Sequence, residues 1–291
     1  MEPISLIRKA VPFAAQVCGV TPLLLAINRR WRTDSVRSLI YHSVPEASAR
    51  EFERQVQYFA RHFSPVRFDD LAGLLHDGTW DHAKPGLLVT FDDGLRSHAE
   101  VAAPILEKYD FCGWFFVPTA FVDAPPESQR DFAKKNRIVH QEDFPGDRIA
   151  MTWDQACALA ERHVVGGHTA THVRLSKDLT PQDLQREIPD AKAYLEAKLA
   201  RPVETFAWVG GEEWSYSRSA AQAIRDAGFK YSFMTNSARI ASNTDPLQLD
   251  RCRIEPHWPL PMARWQLAGM MDPFYAGKRR RVHRLTQTAA E

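Results

Sequence analysis

The chain has 291 residues, 44% of them hydrophobic and 25% charged, with a formal net charge of +1. This is ordinary globular composition, and so even a charge balance leaves no nucleic-acid footprint. The length allows one large α/β domain or two small ones.

From the N-terminus, residues 10–27 carry no charge and are flanked by Arg8-Lys9 and Arg29-Arg30. Pro12, Gln16, Gly19, Thr21 and Pro22 interrupt the stretch, and it is at the short end of what a bilayer requires. No small-x-small cleavage pattern follows it before Asn28. The expectation is an N-terminal helix packed on the domain, with a peripheral membrane contact as the alternative.

Residues 38–41 form a short strand ending at His42. Residues 51–63 form a helix with Phe52, Val56, Phe59 and Phe63 on one face. Residues 86–91 are a second strand. It runs into Asp92-Asp93-Gly94, and Ser97 with Glu100 then has the spacing of a capping box. A third strand covers 113–117. Residues 118–146 read as a long polar connection, a lid or a substrate wall. Thr152 and Gln155 open another helix, and strand 164–167 leads to His168. Thr180-Pro181 starts a helix that runs to Leu199 with Pro189 as a kink. Strands at 203–209, 229–234 and 249–254 surround a helix at 217–227 that Gly228 ends. The basic run 278–281 reads as a solvated end. Cys18, Cys112, Cys157 and Cys252 are widely spaced and read as reduced, as in a cytosolic protein.

Seven strands alternating with helices predict a parallel sheet with crossover helices, and at this length a barrel is the economical arrangement. Barrel chemistry gathers at the C-terminal ends of strands. His42, Asp92, Asp93, His168, Trp208 and Arg253 all fall there.

Asp92 and Asp93 are adjacent carboxylates at a strand end, where mutual repulsion calls for a cation or a proton. Asp-Gly alone is a common surface turn. His168 and His172, four apart, would face the same way on one helical turn. Two imidazoles and a carboxylate suit a divalent ion and leave coordination positions open. Each histidine alone reads as an ordinary polar residue at a loop start.

Thr90-Phe91-Asp92-Asp93-Gly94 and His168-Thr169-x-x-His172 together resemble the first two motifs of the polysaccharide deacetylases, the NodB-homology carbohydrate esterase family 4. The resemblance covers residues 36–255, and the start from Leu39 to Val44 is similar to the exopolysaccharide-type subgroup. It implies a distorted (β/α)7 barrel in a single domain at 36–260, between an N-terminal helical segment at 1–35 and a C-terminal tail at 261–291. It implies that Asp93, His168 and His172 bind one divalent metal, zinc first with cobalt or nickel as alternatives, and that Asp92 is the catalytic base. Tyr41, His42, Thr169, Trp208 and Arg253 are expected to bind substrate. His257 is expected as the catalytic acid, with His42 as the other candidate.

The third motif departs from the pattern. Residues 206–211 lack the usual Arg and Pro, with Val209 where Pro is expected. The fourth motif and the late Leu-x-His segment are not recognisable. The implied activity is removal of an N-acetyl group from an amino sugar in a glycan or glycan precursor, in the cytoplasm or at a membrane, with no specific protein partner. The rivals are a same-fold amidase or deformylase, an inactive glycan-binding member, and a structural subunit of a glycan-synthesis complex.

Overall fold

Strand β1 (Val36–Tyr41) is buried at every residue, as a strand with both faces covered must be. It pairs in parallel with β2 (Gly86–Phe91), which pairs with β3 (Gly113–Val117). The order continues through β4 (Val164–Gly167), β5 (Thr205–Ala207) and β6 (Tyr231–Met234), all parallel. The computed structural model describes residues 11–31, 33–141 and 144–287; the Arg8-Lys9 flank and Ala10 of the apolar stretch lie outside these.

The seventh strand, β7, closes the sheet in two pieces. Leu249–Asp250 pairs with β6, and Cys252–Arg253 pairs with β1. Arg251 is the single residue between them, where the strand passes from one edge of the sheet to the other. The result is the expected distorted (β/α)7 barrel in a mixed α/β single domain.

Alternation along the strands creates two layers. Val36, Leu88, Trp114, Phe116, Ala207, Phe233 and Leu249 meet in the barrel interior. Leu39, Tyr41, Leu87, Val89, Phe91 and Phe115 face the surrounding helices. Helix α1 (Val20–Trp31) follows the short helical stretch Val11–Val17, and α2 (Ala49–His62) comes after β1. Phe52, Val56 and Phe59 are the buried apolar face of α2, as the spacing predicts. Leu25 of α1 is buried, and Asn28 Nδ2 donates to the Ala268 carbonyl at 3.4 Å. No helix among the described residues is long and apolar enough to cross a membrane. The pair Val11–Val17 and Val20–Asn28 qualifies only when taken together, and it is bent by 75°.

Three local expectations change. Ser97 caps nothing: it is buried, already helical in backbone, and accepts a hydrogen bond from Val44 N. The long polar connection expected at 118–146 contains helix α3 (Pro126–Asn136), with Pro at its first position, and Arg137, Val139 and Gln141 just after it line the cleft described below. Beneath α3, Phe121, Ala133, Ile138 and Leu95 build a small core of their own. The basic run lies in α5 (Asp272–Thr286), which follows α4 (Leu260–Leu267). Asp272 pairs with the buried Arg37 at 2.9 Å, Arg279 donates to the Ser237 carbonyl at 2.6 Å, and Arg281 meets Glu213 at 2.9 Å. These basic residues fasten a helix to the barrel.

Candidate active site

A cleft of about 560 Å³ opens at the C-terminal ends of the strands. Asp92, Asp93, His168, His172, His42, Arg253 and His257 line it. Tyr41, Thr169 and Trp208 do not, contrary to their expected substrate contact. Tyr41 points outward from β1 under α2, stacks on Phe91, and donates its hydroxyl to Gln55 Oε1 at 2.6 Å. Trp208 is buried and donates to Ser232 Oγ at 2.8 Å. Thr169 is buried in the loop beneath the metal-ligand candidates.

The two aspartates have different surroundings because strand parity and backbone conformation separate them. Asp92 continues the interior face of Leu88 and Thr90. Its two oxygens meet Arg251 Nη1 and Nη2 at 2.7 and 2.8 Å. Arg251 also donates to Thr90 Oγ1 at 2.9 Å, and its guanidinium lies 5.5 Å from the Phe116 ring. Burial opposes the Asp92 charge, but the Arg251 guanidinium outweighs it and holds the carboxyl below its usual range. Asp93 leaves the strand with φ of 85°, a left-handed value that a side chain other than glycine seldom adopts. Gly94 follows at φ of 61°, with an added Cβ only 3.3 Å from Val117 Cγ1.

His168 and His172 do not share a helical turn. Thr169 and His172 both take left-handed φ values, 60° and 59°, which no helix accommodates. The loop is instead held by Glu187, a buried carboxylate that accepts from Ala170 N, Thr171 N and Thr171 Oγ1 at 3.1, 2.9 and 2.9 Å. Left-handed backbone at Asp93, Thr169 and His172 is typical of a site whose geometry is imposed by its surroundings.

The histidine tautomers follow from their partners. His168 Nδ1 lies 2.8 Å from the Ala207 carbonyl and His172 Nδ1 lies 2.8 Å from the Asn136 carbonyl. A carbonyl only accepts, so both Nδ1 atoms carry the proton. Each neutral ring then presents an Nε2 lone pair to Asp93 Oδ1, at 3.5 and 3.0 Å. The candidate ligand atoms of Asp93, His168 and His172 all lie within 4.8 Å of one another, and all three residues are buried. Burial opposes protonation of His172, yet Asp93 raises its pKa above the usual value. The cluster calls for positive charge, and a divalent ion would supply it to all three groups at once; the donor set fits.

Arg251 and Glu187 were missed by sequence reasoning. Arg253, the arginine expected to bind substrate, is exposed and bonds Glu255 Oε1 at 2.6 Å. Arg251 enters the strand two residues earlier, which sets it deeper along the barrel axis. Nothing in the local pattern marks Glu187.

A parallel barrel with carboxylates and imidazoles gathered at its mouth suits metal-assisted acid–base chemistry. The family model for polysaccharide deacetylase matches residues 80–232, and the chain belongs to that family. It is of the NodB-homology, carbohydrate esterase family 4 type. The chain is 20% identical over 224 residues to YxkH of Bacillus subtilis, which bears the name of a polysaccharide deacetylase; the match spans 75% of this chain and 71% of that one. Its fold is similar to that of the Streptococcus pyogenes deacetylase PplD, solved with acetate (TM-score 0.62, 21% identity, 78% of this chain and 95% of that one). IcaB from Ammonifex degensii is similar too (TM-score 0.59, 21% identity, 81% and 97%).

Proposed function

We propose that the protein is a metal-dependent deacetylase that removes an N-acetyl group from an amino sugar in a glycan or glycan precursor. The observation that carries this reading is the convergence of three lone-pair donors, Asp93, His168 and His172, beside the ionised Asp92 at the floor of the cleft. Those three residues would hold one divalent ion, zinc first. When bound, such an ion lowers the pKa of a water and polarises an acyl carbonyl.

Asp92 would take the proton from the attacking water. Arg251 keeps this carboxylate ionised and fixes its plane, at the expense of its basicity. Each Asp92 oxygen retains one lone pair beyond the Arg251 contacts, so the bidentate pair does not block proton transfer. The departing amine then needs a proton. His42 and His257 both line the cleft. His42 follows β1, which pairs with the strand that leads into Asp92 and Asp93, while His257 is exposed at the rim, so we assign the acid to His42 first. Thr169 would support the ligand loop without touching substrate.

Residues 36–260 would form the catalytic unit, with 1–35 and 261–291 as additions at its two ends. The protein would act in the cytoplasm or at a membrane surface. Val17 and Leu23, 86% and 61% exposed on the N-terminal helices, favour the second.

The test is an acetate- and formate-release assay over acylated amino sugars with added zinc or cobalt, together with metal analysis. Asp92→Asn should retain about one ion per chain and lose about 10²- to 10⁴-fold in turnover, the range for a general base. A chain that binds no divalent ion after reconstitution, or an Asp92→Asn variant with full turnover, would overturn the reading. Formate without acetate would reassign the acyl group.

A further inference from the structure

Besides the proposed ligands, the cleft carries the cations Arg137, Arg174, Arg253 and Lys278. Arg174 is paired with Glu212 at 3.2 Å and Arg253 with Glu255 at 2.6 Å. Lys278 has no carboxylate within ion-pair distance among the described residues. Its ammonium donates to the Gly211 carbonyl and, at 3.3 Å, to the Thr235 carbonyl. An ammonium has three N–H donors, so one is left over.

Lys278 is half-buried on α5. Tyr275, one turn earlier on the same helix face, also lines the cleft, and its ring lies 5.6 Å from Lys278 Nζ. Bridging two carbonyls does not require a charge; an amide side chain would do it. Withdrawing a cation from water without a counter-charge is costly unless an anion arrives. Burial is the leading influence on this ammonium and lowers its pKa, while the carboxylates of Asp250, Glu212 and Glu213 oppose it only from beyond ion-pair distance. Helix α5 lies beyond residues 80–232, so this wall of the cleft is contributed by a segment outside the matched family region.

We propose that Lys278, with Tyr275 beneath it, forms a subsite for an anionic substituent, a carboxylate or a phosphate, on the sugar being deacetylated or on its neighbour in the glycan. The tyrosine ring would receive the apolar face of the sugar and the ammonium its acidic group. The subsite rests on the deacetylase reading for the identity of its sugar.

The test uses the full-length, zinc-loaded chain and three N-acetylglucosamine oligosaccharides of equal length: neutral, carboxylate-bearing and phosphate-bearing. Binding is measured by calorimetry and turnover by acetate release. The wild type should bind at least one acidic oligosaccharide about tenfold more tightly than the neutral one, the worth of one charge-assisted contact. The acidic arm that shows this preference identifies the anion. Lys278→Gln should abolish the preference, raising KM for the acidic sugar while leaving kcat for it in place, and Lys278→Arg should restore it. Equal wild-type affinity for all three sugars would overturn the subsite, as would a Lys278→Gln variant that weakens neutral and acidic sugars alike, the signature of a structural clamp. If the acidic preference stands but no sugar releases acetate, the deacetylase reading fails and the anion subsite survives. If acetate is released from neutral and acidic sugars with equal KM, the subsite fails and the reading survives.

Discussion

Asp92 and Asp93 share a peptide bond, yet one is locked to a guanidinium and the other faces two imidazole lone pairs. The Asp92–Arg251 pair is almost wholly out of water. Such a pair adds little over an apolar substitute, but breaking it strands a charge. Arg251→Met should therefore destabilise the fold by about 3–5 kcal/mol and raise the pKa of the Asp92 carboxyl. Asp92→Leu combined with Arg251→Met should recover most of that loss in urea denaturation. A single variant as stable as the wild type would show that the pair is not what satisfies Asp92. The adjacent carboxylates and the two histidines were legible because their spacing is local. Arg251 was not legible, because its partner is 159 positions away and nothing in its own segment marks it.

The helices that were read correctly carry their signals within a few residues. Thr152 Oγ1 accepts from Gln155 N at 3.2 Å while Gln155 Oε1 accepts from Thr152 N at 3.0 Å, the reciprocal pattern the spacing predicts. Helix α3 escaped notice because prolines and charges precede and fill it, and its burial depends on Leu95 and Ile149 from elsewhere. The His168–His172 spacing was misread as a helical turn because four-residue spacing fits a strained loop equally well. Ala200 ends the helix Ala191–Leu199 in the left-handed region, at φ of 52°. A glycine there avoids the Cβ clash, so Ala200→Gly should raise stability by about 1 kcal/mol. A lowered thermal midpoint would show that Ala200 is not strained.

Closure of the barrel buries a histidine outside the proposed ligands. His98 bonds the His42 carbonyl at 2.8 Å, and burial lowers its pKa from 6.5 to about 4. The unfolded chain takes up this proton below its ordinary value of 6.5, and the folded chain only near 4. Stability from this residue is thus unaffected above that window and falls as pH drops through it, by about 3 kcal/mol in full. His98→Gln should lose less stability than the wild type between neutral pH and pH 4 in urea titrations; parallel curves would rule out this origin.

The seven strands, their order of appearance and the residues at their C-terminal ends were determined by the sequence alone, because hydrophobic runs, caps and turn residues act over short distances. Which residues share the cleft was decided by the tertiary structure. Barrel closure brings Arg251 onto Asp92, Glu187 sets the loop bearing His168 and His172, and α5 brings Lys278 across from the far end of the chain. Each of these depends on contacts between distant segments, where charge pairing and burial are settled only once the sheet has closed.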